Sequence, residues 1–107
     1  MDIDALKKKS DLMHDLSIEK KNALEKLRSQ QVLVYNNHIF RADPVTIALT
    51  SALMSSRPEK IYVIDTNDNP CEIADPADFL TKLLEKNQAS VNAYHRYHSK
   101  FKKRLGA

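Results

Sequence analysis

Eight residues near the C-terminus, Leu80, Leu84, Asn87, Val91, Tyr94, His98, Phe101 and Leu105, follow one another at spacings of 4-3-4-3-4-3-4 without a break. That period lines one stripe of an α-helix and repeats as a heptad does. The helix it defines opens at Pro76 and runs to about Arg104, which is roughly 43 Å at about 1.5 Å per residue. A small domain is only about 30 Å across. One domain of 107 residues therefore cannot cover this helix along its whole length. The first turns, through Leu80 and Leu84 and with Phe79 and Leu83 able to face a sheet, belong to the domain's own core. The stretch from 87 to 107 is expected to project, with Asn87 as a polar residue of the kind that sets register in helix pairs. Tyr94, His98 and Phe101 are bulky for a tight two-stranded coil.

Two coverings fit such a stripe: a second protein chain, or the N-terminal segment folded back as an antiparallel hairpin. Residues 1–30 form that segment, rich in Lys, Glu, Leu and Ala and free of Gly and Pro, as a helix requires. Its stripe of Leu6, Met13, Leu16, Ala23 and Leu27 is interrupted by Lys9 and Lys20. Ser17, two residues before Glu19, is placed to cap a second helix and split the segment near Leu16. So polar a stripe makes a poor full partner, and the reading adopted from the sequence is intermolecular contact.

Between the two helices lies a pattern that occurs twice. Val32-Leu33-Val34-Tyr35 and His38-Ile39-Phe40-Arg41 flank Asn36-Asn37, a hairpin signal because Asn tolerates the positive φ of a type I′ turn. Ala42-Asp43-Pro44 then opens a helix, with Asp43 as N-cap and Pro44 in the first turn, and that helix stops before Arg57-Pro58. Ile61–Ile64, a polar turn from Asp65, Cys71–Ile73 and Ala74-Asp75-Pro76 repeat the order. The expected fold is α+β: an N-terminal helix, then two ββα units whose strands make one four-stranded, mainly antiparallel sheet, and a long C-terminal heptad helix. The divisions are 1–30 for the helical segment, 31–86 for the ββαββ core with the start of the last helix, and 87–107 for its projecting part.

Charge is unevenly spread. The first 85 residues hold 11 basic and 14 acidic groups, whereas Lys86, Arg96, Lys100, Lys102, Lys103 and Arg104 follow with no carboxylate among them. Such an end attracts acidic surfaces or nucleic acid, and it also suits the negative pole of a helix. Interleaved with Tyr94, Tyr97 and Phe101, it makes a small basic nucleic-acid-binding protein the competing reading. Metal chemistry is poorly served: His95 and His98 share a helix, but Cys71, His14 and His38 lie elsewhere in the sequence, and zinc takes three or four ligands at recognisable spacing. The Asp65–Asn69 run starts like a calcium loop, yet Pro70 stands where that loop needs Gly, so it reads as a turn. A single Gly rules against a glycine-rich phosphate loop, and no nucleophile elbow or Cys-x-x-Cys appears. The expectation is no enzyme, no cofactor, no metal and no small-molecule substrate. The N-terminus lacks the apolar core of a secretory signal, no apolar run approaches a membrane span, and one cysteine calls for no oxidising compartment.

The segment from Leu33 to Leu105 resembles a domain of unknown function that recurs in tailed-phage proteins, many of them tail-fibre assembly proteins. The likeness rests on Ile39-Phe40-Arg41-Ala42-Asp43, on the helix Thr46-Ile47-Ala48-Leu49-Thr50-Ser51-Ala52-Leu53, on the Asp68-Asn69 turn, and on the long helix ending in aromatic and basic residues. Where the family usually carries a Trp or other aromatic in the second hairpin, this chain has Tyr62, and the family's longer N-terminal region is reduced to one helical segment. The resemblance implies a phage tail-fibre assembly protein or chaperone, or a small fibre-associated virion component. It implies a fibre partner that is trimeric, and action in the host cytoplasm with retention in the virion tail as the alternative. The partner-binding residues expected on the helix are Val91, Tyr94, His98, Phe101 and Leu105, with Lys100, Lys102 and Arg104 at the rim. Self-association through the same helix is the remaining option.

Overall fold

The structure is a computed structural model that describes residues 3–56 and 59–104, the side chains of Phe101 and Arg104 excepted. Its elements are α1 (Ile3–Gln30), β1 (Val32–Tyr35), β2 (His38–Arg41), α2 (Pro44–Ser56), β3 (Ile61–Ile64), β4 (Pro70–Ile73) and α3 (Pro76–Arg104). The α+β class, the element order and both caps agree with the sequence reading. The Asp43 carboxylate accepts the Thr46 N–H at 2.9 Å, and that of Asp75 accepts the Asp78 N–H at 3.1 Å. Asn36 and Asn37 both take positive φ, 51° and 65°, which closes β1 on β2 with Tyr35 opposite His38. Ser17 does not break α1, which is one helix throughout.

The sheet differs from the expected one. β1–β2 and β3–β4 are separate two-stranded antiparallel sheets, not one sheet of four. They touch at a single corner, where the Thr66 N–H donates to the Ile39 carbonyl at 2.9 Å and His38 Nδ1 lies 2.6 Å from Asp65 Oδ2. Thr66 is already past the end of β3, and the Asp65 N–H is committed to the Asn69 carbonyl of its own hairpin. No β2–β3 ladder can grow from a contact that begins where one strand has stopped.

Both hairpins turn alternate residues inward, as a period of two requires. Leu33 and Phe40 from the first, and Ile61, Val63, Cys71 and Ile73 from the second, are buried with Ala42, Phe79 and Leu83 in one core. The Phe79 ring stands edge-on to Phe40 at 4.9 Å and to Tyr35 at 5.0 Å, a favoured aromatic arrangement. α2 presents Ile47 and Leu53 to this core, and its buried Thr50 satisfies its hydroxyl on the Thr46 carbonyl at 2.8 Å. The α3 residues that enter the core are Phe79 and Leu83, while Leu80 is half-buried and Leu84 exposed.

Asn87 acts within the chain. Buried, it donates its amide N–H to the Ala42 carbonyl at 3.0 Å and accepts from the Gln88 amide at 3.3 Å. The distal half of α3 is likewise covered from within, by α1 running antiparallel to it: Gln30 borders Lys86, Ala89 and Ser90, and the groove continues between Ala23 and Leu27 on one side and Tyr94 and Tyr97 on the other. The folded-back hairpin is thus the arrangement adopted, and residues 87–104 do not project alone. Small side chains explain why a polar α1 suffices. Ala23, Ser90 and Ala93 line the contact, so the helices can approach closely without a continuous row of large apolar residues. Leu16, fully buried, fixes the far end. The molecule measures 67 × 25 × 20 Å with a radius of gyration of 19.6 Å, against about 13 Å for a compact domain of this length.

Leu16→Ala is expected to cost about 2–4 kcal/mol, and Asn87→Ala about 1–3 kcal/mol by stranding the Ala42 carbonyl; denaturant unfolding measures both. If α1 and α3 were not packed together, the first change would fall within about 0.5 kcal/mol.

Candidate functional site

The polar side chains around the second hairpin are occupied by the fold. Asp65 is buried among them, and its Oδ1 accepts the N–H groups of Asn67 at 2.8 Å and Asn69 at 2.9 Å. These bonds shape a turn in which Asp68 takes a φ of 62°. The other oxygen faces His38, and since a carboxylate only accepts, the ring proton sits on Nδ1. His38 first, then the backbone donors, hold the Asp65 carboxyl below its ordinary value of 3.8. Asp78 is lowered by its bond to Lys82, 3.1 Å away, and then by the Tyr35 hydroxyl that donates to it at 3.1 Å. Burial raises the Tyr35 phenol, with Asp78 adding to it, and burial raises the Cys71 thiol. A thiol shifted that way stays protonated and unreactive. Among the described residues no three His, Cys, Asp or Glu side chains gather into a group that could hold a metal, and no helix is long and apolar enough to cross a membrane.

The expected binding residues of α3 divide between two faces. Tyr94 turns toward α1 and lines the groove with Tyr97, their rings 6.2 Å apart. His98 is half-buried with its ring stacked 6.4 Å from Tyr94. Val91 is 38% exposed and looks outward, one heptad beyond Leu84 at 42%. Lys100 and Lys102 are exposed. Phe101 and Arg104 lie on α3, and Leu105 falls outside the described residues. The outward stripe therefore reads Leu84, Gln88, Val91, His95 and Lys102, with Lys86, Arg96, Lys100 and Lys103 also exposed on the helix.

Sequence reasoning missed Ser90, Ala93 and Tyr97 as contact residues. A signal was available: Phe79, Leu83, Asn87, Ser90, Tyr94 and Tyr97 are spaced 4-4-3-4-3, a second stripe displaced by one residue from the first. It starts on the two residues that enter the core and carries Asn87 and Tyr94 in common with the other. Small residues on it hid its continuity.

Stability should follow the Asp65 carboxyl. Its native value is depressed, so the stabilisation is complete above its ordinary value of 3.8 and is lost as pH falls through the lower native value. The stability gap between the wild type and Asp65→Asn is expected to be widest near neutrality and to close in that acid window. Urea midpoints from pH 7 downward check this, and a constant gap would remove Asp65 from the account.

Compared with known proteins, the chain matches no family model, no curated protein and no solved structure.

Proposed function

We propose that this protein works by binding another protein rather than by catalysis, and that its partner is a phage tail-fibre protein, which it helps to assemble or remains attached to. The observation that carries this reading is the outward stripe of α3. Leu84 and Val91 stand exposed on the flank of α3 beside the α1 groove, with a row of cations beyond them. An apolar pair followed along the helix by Arg96, Lys100, Lys102 and Lys103, with no carboxylate after Glu85, is suited to docking on an acidic protein surface. The rigid two-helix hairpin behind it holds that stripe in place, which lowers the ordering cost of association. The fibre as partner, and its three-fold symmetry, rest on the resemblance of the segment from Leu33 onward.

The nucleic-acid reading is weaker, because base stacking needs accessible rings beside the cations. Tyr94 and Tyr97 face the α1 groove instead.

Co-purification of the chain with a phage tail-fibre protein tests the proposal. Val91→Glu is expected to weaken that association at least about tenfold, since burying a Val contributes about 1.5–3 kcal/mol, and to leave the unfolding midpoint within a degree or two. Retained binding by a Leu84→Glu, Val91→Glu double variant would sink the assignment. Salt-sensitive binding to single-stranded DNA, with none to the fibre, would replace it with the nucleic-acid reading.

A further inference from the structure

The pair of helices α1 and α3 leaves a trough open along one side. Two neighbouring depressions between them share Gln30, Ser90 and Ala93, and so run together. Their lining is mostly small, with Ala23, Ala89, Ser90 and Ala93 along it. Lys26 and Lys86 also line it, and no carboxylate does among the described residues. The trough opens on the other flank of α3 from Leu84 and Val91. At about 100° per residue, Lys86 lies roughly 160° round the helix from Leu84, and Arg96 roughly 140° from Val91.

The cations on this flank are ordered and unneutralised. Lys86, Ala89, Ala93, Arg96, Lys100 and Lys103 follow at 3-4-3-4-3, so two alanines of the trough and four cations share one line down α3. Those four, and Lys26 across the trough, are all exposed. Ion pairs form on the hairpins and in the first turns of α3, and among the described residues none of these five cations has a carboxylate partner. The nearest acids are Glu85, one turn before Ala89, and Asp15 and Glu19 toward the far end of α1, where Glu19 is half-buried and engaged within the fold. Five cations outnumber these three carboxylates, so the flank is positive even with all of them counted.

We propose that this trough is a docking site for an acidic amphipathic helix of a partner protein, which lies along α3 as the third helix of a bundle. Small neutral side chains let a helix approach closely. Cations at heptad spacing beside them select a partner with carboxylates at the matching rim positions. A second copy of this chain has no such helix to offer. α1 and α3 each carry more basic than acidic residues, and α2 carries no charge at all. A nucleic acid meets the cations but gains nothing from the alanines, which give no ring to stack on. The site is independent of the Leu84 and Val91 flank, and neither assignment rests on the other.

Titration of the full chain at low salt with a synthetic helical peptide, an alanine and leucine seam flanked by glutamates, tests it. Saturable binding is expected, weakened about tenfold by Arg96→Glu with Lys100→Glu. Ala89→Tyr, which fills the trough and keeps every charge, is expected to weaken it as much. All three positions are exposed, so the unfolding midpoint stays unchanged. Lys7→Glu with Lys8→Glu, an equal change in net charge far from the trough, leaves binding within about twofold, as does Val91→Glu. Absence of binding, an equal loss in the Lys7→Glu, Lys8→Glu chain, or indifference to Ala89→Tyr would each overturn the proposal. So would tighter binding of single-stranded DNA that is lost with the Arg96 and Lys100 reversal.

Discussion

The peptide groups on either side of the Ala42 Cα join three parts of the chain. The Ala42 N–H donates to the Gln31 carbonyl at 2.9 Å, and the Ala42 carbonyl accepts the Asn87 amide at 3.0 Å. One residue thus joins the end of α1, the end of the first hairpin and the middle of α3. Ala42 is itself fully buried, and a larger side chain would press on the contact it organises. The bond to Asn87 also marks where α3 changes surroundings. Before it, Phe79 and Leu83 face the hairpins; after it, Ser90 and Ala93 face α1. A buried amide with one acceptor in reach fixes the helix along its axis more sharply than apolar packing, because a shift of one residue would leave both groups unpaired.

Local chemistry was readable where a few neighbouring residues decide the outcome. The two Asp caps, the Asn-Asn turn and the inward faces of the hairpins follow from side-chain reach, tolerated φ and a period of two, and all three are as the residues imply. What depended on distant parts meeting was harder to read. A four-stranded sheet is a fair inference from two hairpins in sequence, but whether β2 and β3 meet along their length depends on where the Asp65 turn begins. The α3 stripe shows the same limit. Two seams, one residue apart, run down the same helix, and the apolar one was chosen because size is what hydropathy patterns weigh. The packing selected the seam that carries Ser90, with Ala93 beside it, and the value of both is the close approach they allow.

The candidate site follows from that selection. Once Tyr94 is committed to the groove, Val91 and the exposed Lys100 and Lys102 are left on the outer surface, so Val91 and Tyr94 do not share one contact face. The unbalanced positive charge keeps its place and gains a geometry: it lies along the outside of a supported helix rather than on a free tip.

The division into two small sheets leaves every strand an edge, with main-chain groups available to a neighbouring chain along four margins rather than two. Proteins usually guard such margins by covering or closing them. Here they are guarded by brevity and by breaks in the pattern. Each strand has four residues, Pro70 at the start of β4 lacks a donor, and Arg41 and the paired Lys60 and Glu72 place charge beside the open backbone. A fold assembled from hairpins this short offers too little continuous template for β-addition. It can carry exposed Tyr62 and Ile64 without inviting the sheet-to-sheet growth that one broader sheet would risk.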